Sequence, residues 1–199
     1  MNLTPQPGLR ERKKAATRDA IQEQAMRLFL QQGYESTTVE EIAEAAGVSH
    51  MTFFRYFPTK EDAVMADEYD PFIAEMIAAR PAGEPDVVKV QRALRASIDR
   101  IGAEEQAFVL ARAQLIFRTP ALRARLWDQE RATRDLIVDA LGTDNSDRVR
   151  LQVVAAACVA TMSTGIELWA EGNGTRTLAG ILDDLFDRLQ HAFDRNDGE

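Results

Sequence analysis

Residues 37 to 60, TTVEEIAEAAGVSHMTFFRYFPTK, constrain the fold more tightly than any other stretch, because helix starts and stops recur in them at short, fixed spacing. Thr38 followed three residues later by Glu41 predicts a capping box that opens a helix. Val39, Ile42, Ala43 and Ala46 then recur at i, i+3, i+4 and i+7, which gives that helix one apolar face. Gly47 supplies the left-handed residue that ends it. Ser49 caps a second helix, and Pro58 closes it by pushing the preceding residue out of helical geometry. Two short helices around a three-residue break, Gly47 to Ser49, match the helix-turn-helix DNA-binding motif.

The rest of the chain carries helical rather than strand periodicity, so the predicted fold class is all-α. Residues 1–9, with two prolines and a glycine, are expected to be disordered. A first helix is predicted over 10–32, with Ile21, Ala25, Leu28 and Phe29 on one face and a stop at Gly33. After the motif, a fourth helix is predicted from Thr59 to Arg80, kinked at Pro71. Further helices are predicted at 87–102, 104–118, 120–141, 147–171 and 175–194, with Pro120 at a first turn and Gly142 as a stop. The expected organisation is a disordered terminus at 1–9, a three-helix helix-turn-helix domain at 10–60, and a helical bundle at 61–199.

The formal net charge of −8 argues on its face against a nucleic-acid partner, but its distribution reverses that argument. Residues 1–60 hold eight Lys/Arg and seven Asp/Glu, and Arg10, Arg12, Lys13, Lys14 and Arg18 cluster near the start. A local basic patch is sufficient to attract phosphate, since exposed charges are screened within about 10 Å at 0.1 M salt. The single cysteine, Cys158, excludes an internal disulfide framework and agrees with a reducing compartment. No signal sequence opens the chain, and Leu151 to Ile166 is too short and too interrupted by polar residues for a bilayer span. The expectation is a cytoplasmic protein with no membrane partner.

Catalysis is the main rival function, and the residues speak against it. There are two histidines, no metal-ligand spacing, no phosphate-cradling glycine loop and no nucleophile elbow. The acidic clusters Asp67, Glu68 and Asp70, and Asp183, Asp184 and Asp187, read as solvated helix faces. No metal site and no cofactor is therefore expected.

The run GVSHMTFFRYFPTKEDAV resembles the recognition-helix segment of the TetR family of bacterial transcriptional regulators, commonly GVSxxTLYxYFxSKExL. The preceding AIQEQAMRLFLQQGYESTTVEEIAEAAG resembles the same family, and the likeness extends from Thr17 to Val64. It implies a double-stranded DNA operator as partner, contacted by Thr38, Ser49, His50, Met51, Thr52, Arg55, Tyr56 and Lys60. In that reading Phe53 and Phe57 pack inward, Arg55 meets a guanine or a phosphate, and Lys60 meets a phosphate at the start of the fourth helix. Arg10, Arg12, Lys13 and Lys14 either form an arm into the minor groove or are simply solvated. Phe54 and Met51 depart from the family pattern, which usually has a tyrosine and a small residue there.

Leu151 to Trp169 is apolar nearly all round, so it must be covered on several sides. Leu178, Ile181, Leu182, Leu185 and Leu189 form one stripe of the last helix. The resemblance implies a homodimer joined through these two helices, with Ala156, Val159, Leu178, Leu182, Leu185 and Leu189 at the interface. A monomeric bundle core is the alternative. It also implies a small-molecule effector in a pocket, for which Phe72, Met76, Phe108, Arg112, Phe117, Trp127, Met162 and Trp169 are candidates, unless they fill the core. The segment ARAQLIFRTPALRARLW is similar to the mycofactocin-associated regulators, which implies an acyl-type ligand. A repressor released by an apolar or amphipathic effector is thus expected. The alternatives are a ligand-independent or architectural DNA-binding protein, and an activator.

Overall fold

The computed structural model of the chain describes residues 8–66, 69–142 and 147–194, and among these every regular element is a helix. They divide into two compact units, Met1–Ala66 and Asp67–Glu199. The first unit holds α1 (Leu9–Gln32), α2 (Val39–Ala45), α3 (His50–Tyr56) and α4 (Lys60–Met65). The division falls at Ala66 rather than after residue 60, because α4 belongs to the first core. Ala63 and Val64 are buried there, and Gln22 of α1 donates its side-chain amide to the carbonyls of Ala63 and Ala66 at 3.2 and 3.1 Å. The N-terminal unit is therefore a four-helix rather than a three-helix assembly.

The capping signals act as predicted. Thr38 Oγ1 accepts from the Glu41 backbone N–H at 3.2 Å, and Glu41 Oε2 accepts from the Thr38 N–H at 2.9 Å. Gly47 has φ +66, and the Val48 N–H closes back on the Ala43 carbonyl at 2.9 Å. Ser49 Oγ accepts from the Thr52 N–H at 3.1 Å, and α3 stops at Tyr56, two residues before Pro58. Of the segment expected to be disordered, residues 1–7 lie outside the described residues, whereas Leu9 already belongs to α1.

The second unit contains α5 (Tyr69–Ala78), α6 (Asp86–Ile98), α7 (Ala103–Arg118), α8 (Pro120–Arg123), α9 (Leu126–Leu141), α10 (Arg148–Glu171) and α11 (Leu178–Asp194). The single kinked fourth helix of the sequence reading is two helices. Ala66 ends α4 in an extended conformation (ψ 118°), and Pro71 falls in the first turn of α5, where its missing N–H carries no penalty. Likewise 120–141 splits into α8 and α9. The acidic group Asp67, Glu68 and Asp70 lies outside the residues whose side chains are described.

At the centre of this unit stands α10, packed against α6, α7, α9 and α11. By length and hydropathy it is apolar enough to cross a membrane, contrary to the sequence reading, and here the same character makes it the core helix. Leu151, Ala155, Cys158 and Val159 on α10 meet Val90 and Leu94 of α6, Ile137 and Val138 of α9, and Leu182 and Phe186 of α11. Burial, helped by the Asp86 charge, pushes the Cys158 thiol up to about 12, so it is a packing residue rather than a nucleophile. The acidic face of α11 is tied to its neighbours: Asp183 pairs with Arg95, Asp184 with Arg176, and Asp187 accepts from Gln91.

Gly165 sets how closely α11 approaches α10. A Cβ there would lie 2.4 Å from Leu182 Cδ2 and 3.3 Å from its Cγ, and Leu182 is buried. Gly165→Val is expected to destabilise the protein by about 1–3 kcal/mol, because overpacking outweighs the helix propensity gained. Urea denaturation measures this, and the double variant Gly165→Val/Leu182→Ala is expected to lose less than the sum of the singles. Strict additivity would place the strain elsewhere.

Candidate nucleic-acid interface and effector cavity

The recognition surface follows from which side of α3 the core takes. Phe53 is fully buried and Phe57 nearly so, with Phe53 5.5 Å from Phe54 and 6.0 Å from Phe57 between ring centroids. The opposite face therefore projects outward. Ser49, His50 and Arg55 are exposed, Met51 is 77% exposed, and Thr52 and Tyr56 are half-buried. All six expected residues of this helix and its cap thus share one short surface, and the Arg55 guanidinium lies 5.5 Å over the Tyr56 ring.

Two residues outside the expected set of contact residues belong to the same surface. Phe54 is 42% exposed and stands one turn after His50, so it offers an apolar ring where the family pattern has a tyrosine. Glu40 of α2 brings Oε1 within 3.3 Å of His50 Nε2. The i, i+4 spacing of His50 and Phe54 was visible in the sequence; the approach of Glu40 from another helix was not.

Lys60 and Thr38 take roles inside the domain. The Lys60 ammonium donates to the carbonyls of Tyr34 at 2.8 Å and Thr37 at 3.0 Å, and sits 4.2 Å above the Tyr34 ring. Two of its three N–H groups thus serve the turn between α1 and α2, which corrects the expectation of a phosphate contact as its main task. Tyr34 completes the clasp by donating its hydroxyl to Glu61. Burial pushes the Glu61 carboxyl up. The Tyr34 hydroxyl, its own backbone N–H, Thr59 and the Lys60 charge outweigh that and hold it below the ordinary 4.5. Thr38, expected among the DNA contacts, gives its N–H to Glu41, whose carboxyl this bond lowers.

The basic cluster is also placed differently. Arg10, Arg12, Lys13 and Lys14 are exposed residues of the first turns of α1, not an extended arm. A helix is about 10–12 Å across and the minor groove only about 6 Å wide, so this cluster cannot enter that groove as a helix.

In the second unit a cavity of about 170 Å³ opens between α5, α6, α7, α9, α10 and α11. Its wall is largely aliphatic, with Ile73, Ile98, Ile116, Val159 and Leu182 among the lining side chains. Polar groups come mainly from three helices: Arg112 of α7, Gln129, Glu130 and Thr133 of α9, and Ser163 of α10, whose hydroxyl bonds Glu130. Of the candidates, Arg112, Phe117 and Met162 are among the residues that line the cavity. The other five candidates do not. The Phe72 ring lies 4.5 Å under the Arg100 guanidinium, Met76 packs on the core, and Phe108 and Trp127 point to solvent, Trp127 with 73% of its surface exposed. Trp169 is buried beside Leu110 and Gly174 in an adjoining cleft that shares Ile98, Ile101, Val109 and Leu178 with the cavity.

The expected dimer residues divide in the same way. Val159 and Leu182 are buried, and with Leu178 they line the cavity, so these three belong to the subunit core. Leu189 packs on that core, Leu185 is half-buried, and Ala156 is exposed. Ala156 instead belongs to an outward stripe of α10 formed by Val149, Val153, Ala160, Thr164 and Leu168. Val149 and Val153 are 75% and 58% exposed. An all-round apolar helix does not reveal in its sequence which side its own bundle covers.

Comparison with known proteins bears on both units. The family model described as bacterial regulatory proteins, tetR family, matches residues 21–64, and that described as MftR C-terminal domain matches residues 84–194. The HTH-type transcriptional regulator TcmR of Streptomyces glaucescens is 37% identical over 161 residues, covering 75% of this chain and 71% of TcmR. The putative mycofactocin biosynthesis transcriptional regulator MftR of Mycobacterium tuberculosis is 23% identical and covers 92% of this chain and 94% of its own. The crystal structure of Thermus thermophilus FadR, a transcriptional repressor in complex with lauroyl-CoA, superimposes with a TM-score of 0.51 at 26% identity, covering 87% of this chain and 93% of that one.

The clasp makes a prediction that separates folding from DNA contact. Lys60→Met is expected to lower stability by about 1–2 kcal/mol, since two carbonyls lose a charged donor, and to leave the salt dependence of DNA binding unchanged. A slope reduced by about one, at unaltered stability, would return Lys60 to the interface. Because the Glu61 carboxyl is lowered on folding, its contribution is present above the unfolded value near 4.5 and disappears as pH falls through the folded one. Glu61→Gln is expected to flatten this part of the acid limb in urea titrations run between about pH 5 and pH 2.

Proposed function

The chain belongs to the TetR family of bacterial transcriptional regulators, and we propose that it is a cytoplasmic repressor that binds a palindromic operator as a homodimer and releases it on binding an apolar or amphipathic effector. The observation that carries this reading is the pairing, in one chain, of an outward-facing recognition helix with a partly open, mainly aliphatic cavity. A bundle that served only to hold two DNA-binding units together would have no use for the cavity. Its wall of isoleucine, leucine and valine suits a hydrocarbon segment. Arg112, Gln129, Glu130 and Ser163 supply one polar pole for a carbonyl, hydroxyl or carboxylate. That the related Thermus FadR is a repressor holding lauroyl-CoA supports an acyl-bearing effector here.

Operator contacts are assigned to Ser49, His50, Met51, Thr52, Arg55 and Tyr56, with α1 basic residues on the backbone. Dimerisation is assigned to the outward stripe of α10, where Ala156, Ala160 and Thr164 permit close helix approach and Val149, Val153 and Leu168 supply apolar area. Two such subunits would present two α3 helices to half-sites about one helical turn, 34 Å, apart. Effector binding lowers operator affinity only as far as the effector prefers the form that does not fit the operator, and by reciprocity operator binding weakens the effector equally.

The deciding experiment selects operators from random duplex DNA with the full chain and then titrates lauroyl-CoA into the complex. Release of the operator, together with a rise in the melting temperature of the free protein, is expected. Tight binding with unchanged operator affinity would reject an acyl effector acting through this cavity. Arg55→Ala is expected to weaken binding by about 1–3 kcal/mol and to relax preference at one base pair, whereas uniform weakening across operator variants would make Arg55 a phosphate contact. Val153→Glu is expected to yield a monomer in sedimentation runs and to abolish operator binding at the same concentration. A dimer that persists would move the interface off α10.

A further inference from the structure

The cleft beside the effector cavity has a volume of about 450 Å³ and lies between α6, α7, the end of α10 and the turn into α11. Ile98, Ile101, Val109 and Leu178 line both spaces, so the two meet at an aliphatic boundary. No described residue of α9, which carries Gln129, Glu130 and Thr133 of the polar pole, lines the cleft. The cleft therefore continues the cavity on the side of α6 and α11.

Trp169 of α10 brings an unmatched donor to this cleft. The residue is only 6% exposed, and its indole N–H, which donates and cannot accept, meets no acceptor among the described residues. Nε1 faces Gly174, where a Cβ would stand 3.7 Å from it and 2.7 Å from Leu110 Cδ2. With φ at +69 and no side chain, Gly174 makes the turn after α10 and leaves the N–H open to the cleft. A buried indole N–H ordinarily has a hydrogen-bond partner, so this one is available to a ligand's oxygen. The cations of the cleft, by contrast, are already matched. Arg95 pairs with Asp99 and Asp183, and Arg176 with Asp184, so two guanidinium groups stand against three carboxylates. An added anion finds no uncompensated positive charge there, whereas a neutral carbonyl needs only the one donor.

We propose that the cleft is the head-group compartment of the effector site, and that Trp169 is a specificity-determining residue in it. Its N–H donates to the carbonyl oxygen of a neutral acyl ester or thioester, whose chain crosses the aliphatic boundary into the cavity. This rests on the acyl-effector reading above and deepens it: the effector is an acyl derivative that carries a head group, not a free fatty acid. The head group leaves through the open side of the cleft, past the exposed side chains of Arg95, Gln106 and Arg176. The pole of Arg112 and Glu130 is then left for an oxygen farther along the chain.

The test titrates the full chain calorimetrically with lauroyl-CoA and with S-dodecyl-CoA, which keeps the head group and chain length and lacks the carbonyl. Wild-type protein is expected to bind the thioester about three- to tenfold more tightly, the worth of one neutral hydrogen bond. Trp169→Phe, verified as folded by cooperative melting, is expected to bind the two alike. Ala107→Phe narrows the cleft from its exposed rim, and is expected to weaken both ligands while the free protein melts as before. In Trp127→Phe, where Trp169 is the one tryptophan left, lauroyl-CoA is expected to shift the emission more than S-dodecyl-CoA does. Methyl laurate is expected to bind more tightly than laurate at neutral pH, where laurate is ionised. A Trp169→Phe protein that still prefers the thioester would overturn the assignment, as would Trp169 emission unmoved by bound lauroyl-CoA, or a preference for laurate. A wild-type protein that binds none of these four lipids would instead remove the acyl-effector reading itself, and this assignment with it.

Discussion

The left-handed turn at Gly47 is the constraint on which the recognition surface depends. With φ at +66, the backbone reverses within one residue, and the N–H groups of Ala46, Gly47 and Val48 close back on the carbonyls of Ile42, Glu44 and Ala43. A side chain at this conformation costs roughly 1–2 kcal/mol, which is why a glycine stands there. The turn delivers the chain to Ser49, whose hydroxyl starts α3 at once. From that start the register of α3 is no longer free. Phe53 and Phe57, four apart, must enter the core, so His50, Met51 and Arg55 must leave it. The outward face of α3 is thus a consequence of inward packing, and His50, Met51 and Arg55 on that face are not needed to fill the core.

Freedom on that face is what permits chemistry there. The clasp of Lys60 and Glu61 on Tyr34 and the Thr37 carbonyl holds α4 and the α1–α2 turn together without using the recognition helix. In the second unit the same division of labour holds on a larger scale. Its visible ion pairs, such as Asp86 with Arg150 and Lys89, or Glu84 with Arg80 and Arg92, lie mainly at helix ends. The exposed pairs, such as Arg95 with Asp99 and Arg176 with Asp184, contribute about 0–1 kcal/mol each, so the bundle is held mainly by the apolar faces around α10. Those pairs set which helix ends meet, while packing supplies the stability.

How far the sequence disclosed this depends on whether the cause was local. Caps, the glycine turn and the proline stop act over three or four residues, and Thr38, Glu41, Gly47, Ser49 and Pro58 all did what their spacing predicted. The helix-turn-helix and the all-α class were legible for the same reason. Choices between two apolar faces were not. The sequence of α10 offers nearly equal hydrophobicity around the helix, so Val159 reads as well for an interface as for a core, and only the positions of α9 and α11 decide between them. Long polar side chains were misread on similar grounds: Lys60 has a chemistry suited to phosphate, and two carbonyls from residues 23 and 26 positions away claim it first. Large aromatic residues were the poorest guide to the cavity, since Trp127 and Phe108 face outward, while its wall is built mainly from isoleucine, leucine and valine.

The cavity itself carries an energetic argument. An opening of about 170 Å³ among apolar side chains forgoes packing contacts that a filled core would make, and the cost of unfilled core volume rises with its size. Filling it would require only a few larger side chains, since Ala113 and Ser97 stand in its wall and could each carry more volume. The polar pole argues in the same direction, because Arg112 and Glu130 in an aliphatic wall add a desolvation cost that hydrocarbon packing would avoid. A bundle whose only task was to join subunits would gain from closing the space. One whose task is to respond to a small molecule gains from leaving it open, because the packing energy withheld in the empty form is available to the ligand that enters.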